Sequence, residues 1–318
     1  MQSALICSSH SPLMYCYARE PEGWDELQRV FAERKAAIEA FDPELVVAFT
    51  SDHFNGFFLD LMPSFCLGLE ATAVGDIGGF AGPLDVPERD ARDAVDFLRE
   101  RDFDVAVSLD MQVDHAISQS LHVLLGALDR YPVVPVFINC INEPYVSFRR
   151  SRQLGECLGQ FARALGKRTL FLGSGGMSHN PTRYYPSFGS GERAVTAYQL
   201  TGGKSTPSLS KQEWLARLHD MHIEGAQMLV DGTRTKADLK LNPTIDGEFL
   251  QLMVEDRLKA VDDWAPAEIV EQAGIGWMEM HTWVAAAAAS RSVGGSRPVV
   301  DFYGEMLEIG IAAGVAHA

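Results

Sequence analysis

Positive charge is scarce in this chain: 27 Lys and Arg stand against 43 Asp and Glu, a formal net charge of −16. A field of that sign repels nucleic acid and anionic membrane, and it admits a small anionic ligand only where a local basic group captures it. Cysteine is sparse too. Cys7, Cys16, Cys66, Cys140 and Cys157 form no C-x-x-C or other zinc spacing, so reduced, mostly buried thiols are expected. No apolar run is long enough to span a bilayer, the alanine cluster at 285–289 being short, and no basic segment opens the chain, so a cytoplasmic location is expected. No Pro/Ser-rich linker or low-complexity tract divides the 318 residues, and 47% hydrophobic content can fill a large core, so residues 1–318 are read as one domain.

What is present alternates. Short apolar runs at 4–7, 45–49, 105–109, 133–138 and 169–172 read as strands, between helix patterns at 24–41, from Pro87 through Leu98, at 118–130 and at 153–165. This succession predicts a layered α/β fold with a central, largely parallel or mixed sheet flanked by helices. Residues 56–86, rich in aromatics, Gly and Pro, are too long for an ordinary connection and read as a structured loop lining a site. Beyond 181 the pattern is mainly helical. Ser210-Lys211-Gln212-Glu213 has the capping-box form and opens a helix to about 230, 265–273 is a short helix, and an apolar helix from Gly276 carries Glu279.

The run at 169–172 leads straight into Gly173-Ser174-Gly175-Gly176-Met177-Ser178-His179, where glycines let the backbone bend and approach a ligand, holding His179 at a cavity. A nucleotide loop is the weaker reading, since it would need glycine at Ser178 or a following Gly-Lys-Ser/Thr. His10, His53 and His115 also fall just past predicted strand ends. In a parallel sheet those ends share one edge, where α/β folds build their sites. One such histidine is ordinarily structural; four together point to a site.

The other histidines differ. His219 and His222 lack an H-E-x-x-H context and read as surface or interface residues, His122 and His281 as packing or hydrogen-bonding residues, and His317 lies near the end of the sequence. Glu279 is a lone carboxylate in a run that wants burial, and a buried carboxylate needs a cation. His281, two residues on, is turned about 200° away from it around a helix. Two histidines and one carboxylate suit non-haem Fe(II) with open positions for substrate and O₂, while zinc on the same donors would suit a hydrolase. Either way, two histidines remain as acid and base.

Ser9-His10-Ser11-Pro12, Asp52-His53-Phe54-Asn55, Asp114-His115, Gly175-Gly176-Met177-Ser178-His179-Asn180-Pro181 and Glu279-Met280-His281-Thr282-Trp283 together resemble the motif series of the class III extradiol ring-cleaving dioxygenases. That is the superfamily of the protocatechuate 4,5-dioxygenase catalytic subunit, and the likeness runs in order from residue 10 to about 290, strongest to the branch acting on 2,3-dihydroxyphenylpropionate and 2,3-dihydroxycinnamate. The resemblance implies that His10, His53 and Glu279 hold Fe(II), that His115 is the proton donor and His179 the proton acceptor, and that Asp114 sets the tautomer and orientation of His115. It implies a catechol and O₂ as substrates, and a homo-oligomer. Trp277-Met278 departs from the small or polar residues expected before Glu279 and predicts a reshaped site wall, with Glu268 and Glu271 as reserve ligands. An acidic substrate tail would need a cation, for which Arg183 and Arg149 are the candidates. Some relatives are non-enzymatic and have lost such residues; here all five are present.

Overall fold

The computed structural model describes residues 2–318. Its strands are β1 Ser3–Ser8, β2 Leu45–Thr50, β3 Phe65–Gly68, β4 Ala71–Val74, β5 Ala81–Pro83, β6 Ala106–Ser108, β7 Met111–Val113, β8 Val133–Ile138, β9 Thr169–Ser174, β10 Val299–Met306 and β11 Ile311–His317. Eight of them form one sheet in the order β10-β11-β1-β9-β2-β8-β3-β6, and β5-β4-β7 form a second. The middle of the large sheet, β1-β9-β2-β8, is parallel. These strands are covered on both faces, which is why they read as unbroken apolar runs rather than alternating ones. β3, β11 and β10 join antiparallel, making the sheet mixed.

Successive residues of a strand serve opposite layers. Leu45, Val47 and Phe49 pack under helices Glu88–Arg99, Phe148–Leu165 and Met280–Ser292, while Val46 and Ala48 face helix Trp24–Phe41. The alanine cluster has a packing reason: a Cβ on Gly155 would sit 2.0 Å from the Ala285 carbonyl oxygen, and one on Gly159 2.3 Å from that of Ala289. Small residues on both helices let their backbones meet.

Several expectations shift. The 56–86 segment is not a plain loop but contains β3, β4 and β5, and the mainly helical C-terminal half ends in β10 and β11. The strand expected at 105–109 stops at Ser108 on the sheet edge; β7 of the small sheet leads to His115 instead. The helix expected at 118–130 starts at His115 and, after a π turn at Leu121–Leu125, stops at Gly126, whose φ of 92° ends the helix. Glu279 closes a 3₁₀ turn, Ile275–Glu279, just ahead of the apolar helix. The capping box at Ser210 is formed, and all five cysteines are free thiols. No helix among the described residues is long and apolar enough to cross a membrane.

Candidate metal centre

β1, β9 and β2 are neighbours running the same way, so the residues after Ser8, Ser174 and Thr50 emerge together at one edge. Each turn is tied locally. Asp52 accepts the N–H groups of Asn55, Gly56 and Phe57 at 3.2, 2.9 and 3.1 Å, and between them Phe54 is held at φ 61°, a left-handed conformation that costs an L residue energy. That turn presents His53. Asp114 caps the helix that begins at His115, accepting the Ala116 N–H at 2.9 Å.

Glu279 lies at the centre. Its Oε1 is 3.2 Å from His10 Nε2 and 3.5 Å from His53 Nε2, and it accepts the Ser51 hydroxyl at 2.5 Å. Its Oε2 accepts the Gly176 N–H at 3.2 Å and lies 3.9 Å from His179 Nε2. The other ring nitrogens are committed. Ser174 Oγ donates to the Ala116 carbonyl, so His10 Nδ1–H donates to that hydroxyl at 3.0 Å; His53 Nδ1–H donates to Asp114 at 3.2 Å; His179 Nδ1–H donates to the Met177 carbonyl at 2.9 Å. Each turns Nε2 toward the site, where the unprotonated ring offers a lone pair. His10 Nε2 is buried without a hydrogen-bond partner despite its closeness to Glu279, the orphaned donor atom a metal ion would satisfy. His10, His53 and His115 each offer a ring nitrogen within 4.8 Å of the others, so His115 adjoins the same point.

The charges follow from this crowding. Burial would raise the Glu279 carboxyl, but His10 and His53 hold it well below the usual carboxylate range. Burial would lower His53, yet the Asp114, Glu279 and Asp52 carboxylates outweigh it and push the imidazole up to about 9. His179 behaves otherwise: burial lowers it to about 4, leaving it neutral at pH 7.

Glycines make this closeness possible through missing side chains rather than positive φ at 173, 175 or 176. A Cβ on Gly176 would lie 2.6 Å from the His179 ring, one on Gly276 2.2 Å from it, and one on Gly175 2.8 Å from Glu279 Cβ. The ring is thus clasped between two loops. Both loops hang from a residue that sequence reasoning missed, Asp246, which accepts the Ser178 N–H and hydroxyl at 3.1 and 2.6 Å, the Trp277 indole N–H at 2.9 Å and the Tyr303 hydroxyl at 2.9 Å. Nothing in its local pattern marks it, since its partners lie 31 to 68 residues away. Trp277 therefore turns into the core, fully buried, and is no part of the site wall.

The partner of His115 also differs from expectation. Asp76, from the turn between β4 and β5, meets His115 Nδ1 at 2.5 Å and its backbone N–H at 2.8 Å, whereas Asp114 serves His53. Tyr185, missed as well, sets its ring 4.9 Å from that of His53 with its hydroxyl buried and unpartnered. His222, expected at the surface or an interface, is buried against Tyr184 and joins His10, His53, His115 and His179 in lining one cavity. Glu268 and Glu271 are exposed on helix Pro266–Ala273, away from these residues. Arg183 pairs with Glu224 at 2.5 Å and Arg149 with Asp262 and Asp263, and neither lines the cavity. His281 meets Ser151 Oγ at 2.8 Å and stacks on Phe148, His122 stacks on Phe80, His317 pairs with Asp301, and His219 is exposed.

Residues 4–306 match the family described as the catalytic LigB subunit of aromatic ring-opening dioxygenase. The 2,3-dihydroxyphenylpropionate/2,3-dihydroxicinnamic acid 1,2-dioxygenase 2 of Pseudomonas putida is 41% identical over 289 residues, 91% of this chain and 90% of the relative. An enzyme of the same name from Escherichia coli O139:H28 is 41% identical over 303 residues, 95% of this chain and 94% of the relative. A solved structure of an uncharacterised Escherichia coli K12 protein is similar over 99% of this chain and 98% of its own, at 13% identity and a TM-score of 0.47. The chain belongs to the LigB family and is an aromatic ring-cleaving dioxygenase.

Proposed function

We propose that this enzyme uses Fe(II) to cleave 3-(2,3-dihydroxyphenyl)propionate, or its 2,3-dihydroxycinnamate analogue, with O₂ next to one hydroxyl, giving a 2-hydroxy-6-oxo-nona-dienedioate from the saturated substrate. The observation that carries it is the carboxylate oxygen of Glu279 lying 3.2 and 3.5 Å from two imidazole Nε2 atoms, with His115 and His179 on the same cavity. His10, His53 and Glu279 would hold the ion, a donor set that suits non-haem Fe(II). Bound there, Fe(II) supplies open positions that bring the catechol and O₂ together.

The chain's own residues divide the proton work. His179, neutral and with a free Nε2, takes a catechol proton, and the Glu279 charge 3.9 Å away steadies the cation that forms. His115 returns a proton to the oxygen that departs when the O–O bond breaks. Its Nδ1 is held by the Asp76 carboxylate, which fixes the ring orientation that keeps Nε2 toward the cavity. Both oxygen atoms of O₂ end in the product.

The test is oxygen uptake by protein reconstituted anaerobically with Fe(II) and given 2,3-dihydroxyphenylpropionate. Stoichiometric oxygen consumption with a yellow ring-fission product is expected. Bound iron with neither signal, across several 3-substituted catechols, would overturn the reading.

A further inference from the structure

Arg234 is a buried cation without an anion. It sits between helices Lys211–Asp231 and Lys236–Leu239, 6% exposed, and its side-chain partners are neutral: Nη1–H donates to the Tyr184 hydroxyl at 2.8 Å and Nη2–H to the Asn180 carbonyl at 3.0 Å. Among the described residues no carboxylate oxygen comes within 4.0 Å of it. Asp238, which feels its charge, spends Oδ2 on the Thr235 N–H and hydroxyl. Two of the five guanidinium N–H groups are used, so three remain. Burying a charge unpaired is costly and is ordinarily met by an ion of the opposite sign.

The cavity beside it supplies the context. Arg234 lines the space shared by His53, His115 and His179, and Asn180, whose carbonyl it grips, directly follows His179. Tyr184 is fixed as a bracket: its ring stacks on His222 at 3.7 Å, and Gly225 leaves the room its hydroxyl needs, since a Cβ there would lie 2.2 Å from that oxygen. Pro12, Leu13, Ile309 and Ile311 give the same cavity apolar wall. A larger neighbouring cleft shares only Pro181 and Tyr185 with it and is lined by Glu143 with no Lys or Arg, so it does not match an anion.

We propose that Arg234, braced by Tyr184 and the Asn180 carbonyl, anchors a carboxylate on the substrate's side chain while the ring faces the histidines, so that the enzyme selects catechols with an acidic tail. This rests on the ring-cleavage reading of the same site and names the residue that sets its substrate class.

The test compares 2,3-dihydroxyphenylpropionate with the neutral 3-propylcatechol on wild-type, Arg234→Gln and Arg234→Lys enzyme, with inhibition by 3-phenylpropionate as a binding readout. In Arg234→Gln the ratio of kcat/KM for acid over neutral substrate is expected to fall by about 10- to 150-fold, the range of a charged hydrogen bond. Inhibition by 3-phenylpropionate should weaken in parallel, and Arg234→Lys should recover part of both. A parallel fall for both substrates in Arg234→Gln, leaving the ratio unchanged, would overturn the anchor. So would wild-type enzyme that cleaves the acid and 3-propylcatechol equally well, a result that does not depend on any variant folding. Iron-loaded wild-type enzyme that cleaves neither overturns the ring-cleavage reading, and the anchor with it.

Discussion

Replacing Asp246 by Asn should make the metal-free protein relatively more stable as pH rises. Asp246 accepts four hydrogen bonds, yet burial still pushes its carboxyl up to about 6 from an ordinary 3.8. Between those two values the folded chain binds a proton that the unfolded chain does not. The contribution of this group is therefore fully present below about pH 3.8 and is lost as pH rises through 6, a total of roughly 3 kcal/mol. Asn has no charge to bury. Its oxygen can keep the Ser178 and Trp277 N–H groups, and its amide can donate to the Ser178 and Tyr303 hydroxyls, which rotate to accept. Urea unfolding of both proteins at several pH values should show the variant gaining on wild type by roughly 2 kcal/mol between pH 4 and pH 7. A difference that stays constant across that range, or moves the other way, would refute a carboxylate buried at a cost as the tie between the two loops around His179.

Other expectations concern the site itself. Glu279→Gln should lower iron affinity by more than about 100-fold, beyond the loss typical of an outer partner, while His115→Ala keeps its iron; iron lost in His115→Ala but kept in Glu279→Gln would mean that His10, His53 and His115 form the ligand set. Asp76→Asn should cut kcat by about 10- to 150-fold, the worth of one charge-assisted hydrogen bond, with iron content and KM little changed; a rise in KM alone would assign Asp76 to binding. Gly276→Ala places a methyl 2.2 Å from the His179 ring, so turnover should fall by about 100-fold with iron retained. Full activity in that variant would show that the clasp around the ring is not needed.

What could be read from the sequence was what local pattern encodes. The parallel centre of the sheet was legible because buried strands are continuous apolar runs, and helix Trp24–Phe41 because its buried Leu27, Val30, Phe31 and Ile38 repeat at helical spacing. His10, His53 and His179 were legible because each follows such a strand. β3, β4, β5 and β7 were not, since strands of three or four residues are too short for periodicity to speak, and Asp76 was lost with the first three inside what read as a loop. β10 and β11 follow a helical stretch, and β11 pairs with the first strand as well as with β10, a fact of topology. Asp246, Tyr185 and Arg234 act through contacts distant in the chain. His219 and His222 read alike, as surface or interface residues, because neither has an H-E-x-x-H context, and only packing against Tyr184 separates the two.

The position of β1 has a consequence for how the chain comes into being. It is made well before its two neighbours in the sheet, β9 and β11, and Ile6 and Cys7 pair across to His317 and Ala316. At a synthesis rate of about 5–20 residues per second, the second flank arrives roughly 7–30 s after the first. For that interval the nascent chain carries an open strand edge, the feature most prone to pairing with other chains. Glu279 and His10, 269 positions apart, can meet only after the chain has been made through residue 279, so an ion held between them would be taken up late in synthesis or after it.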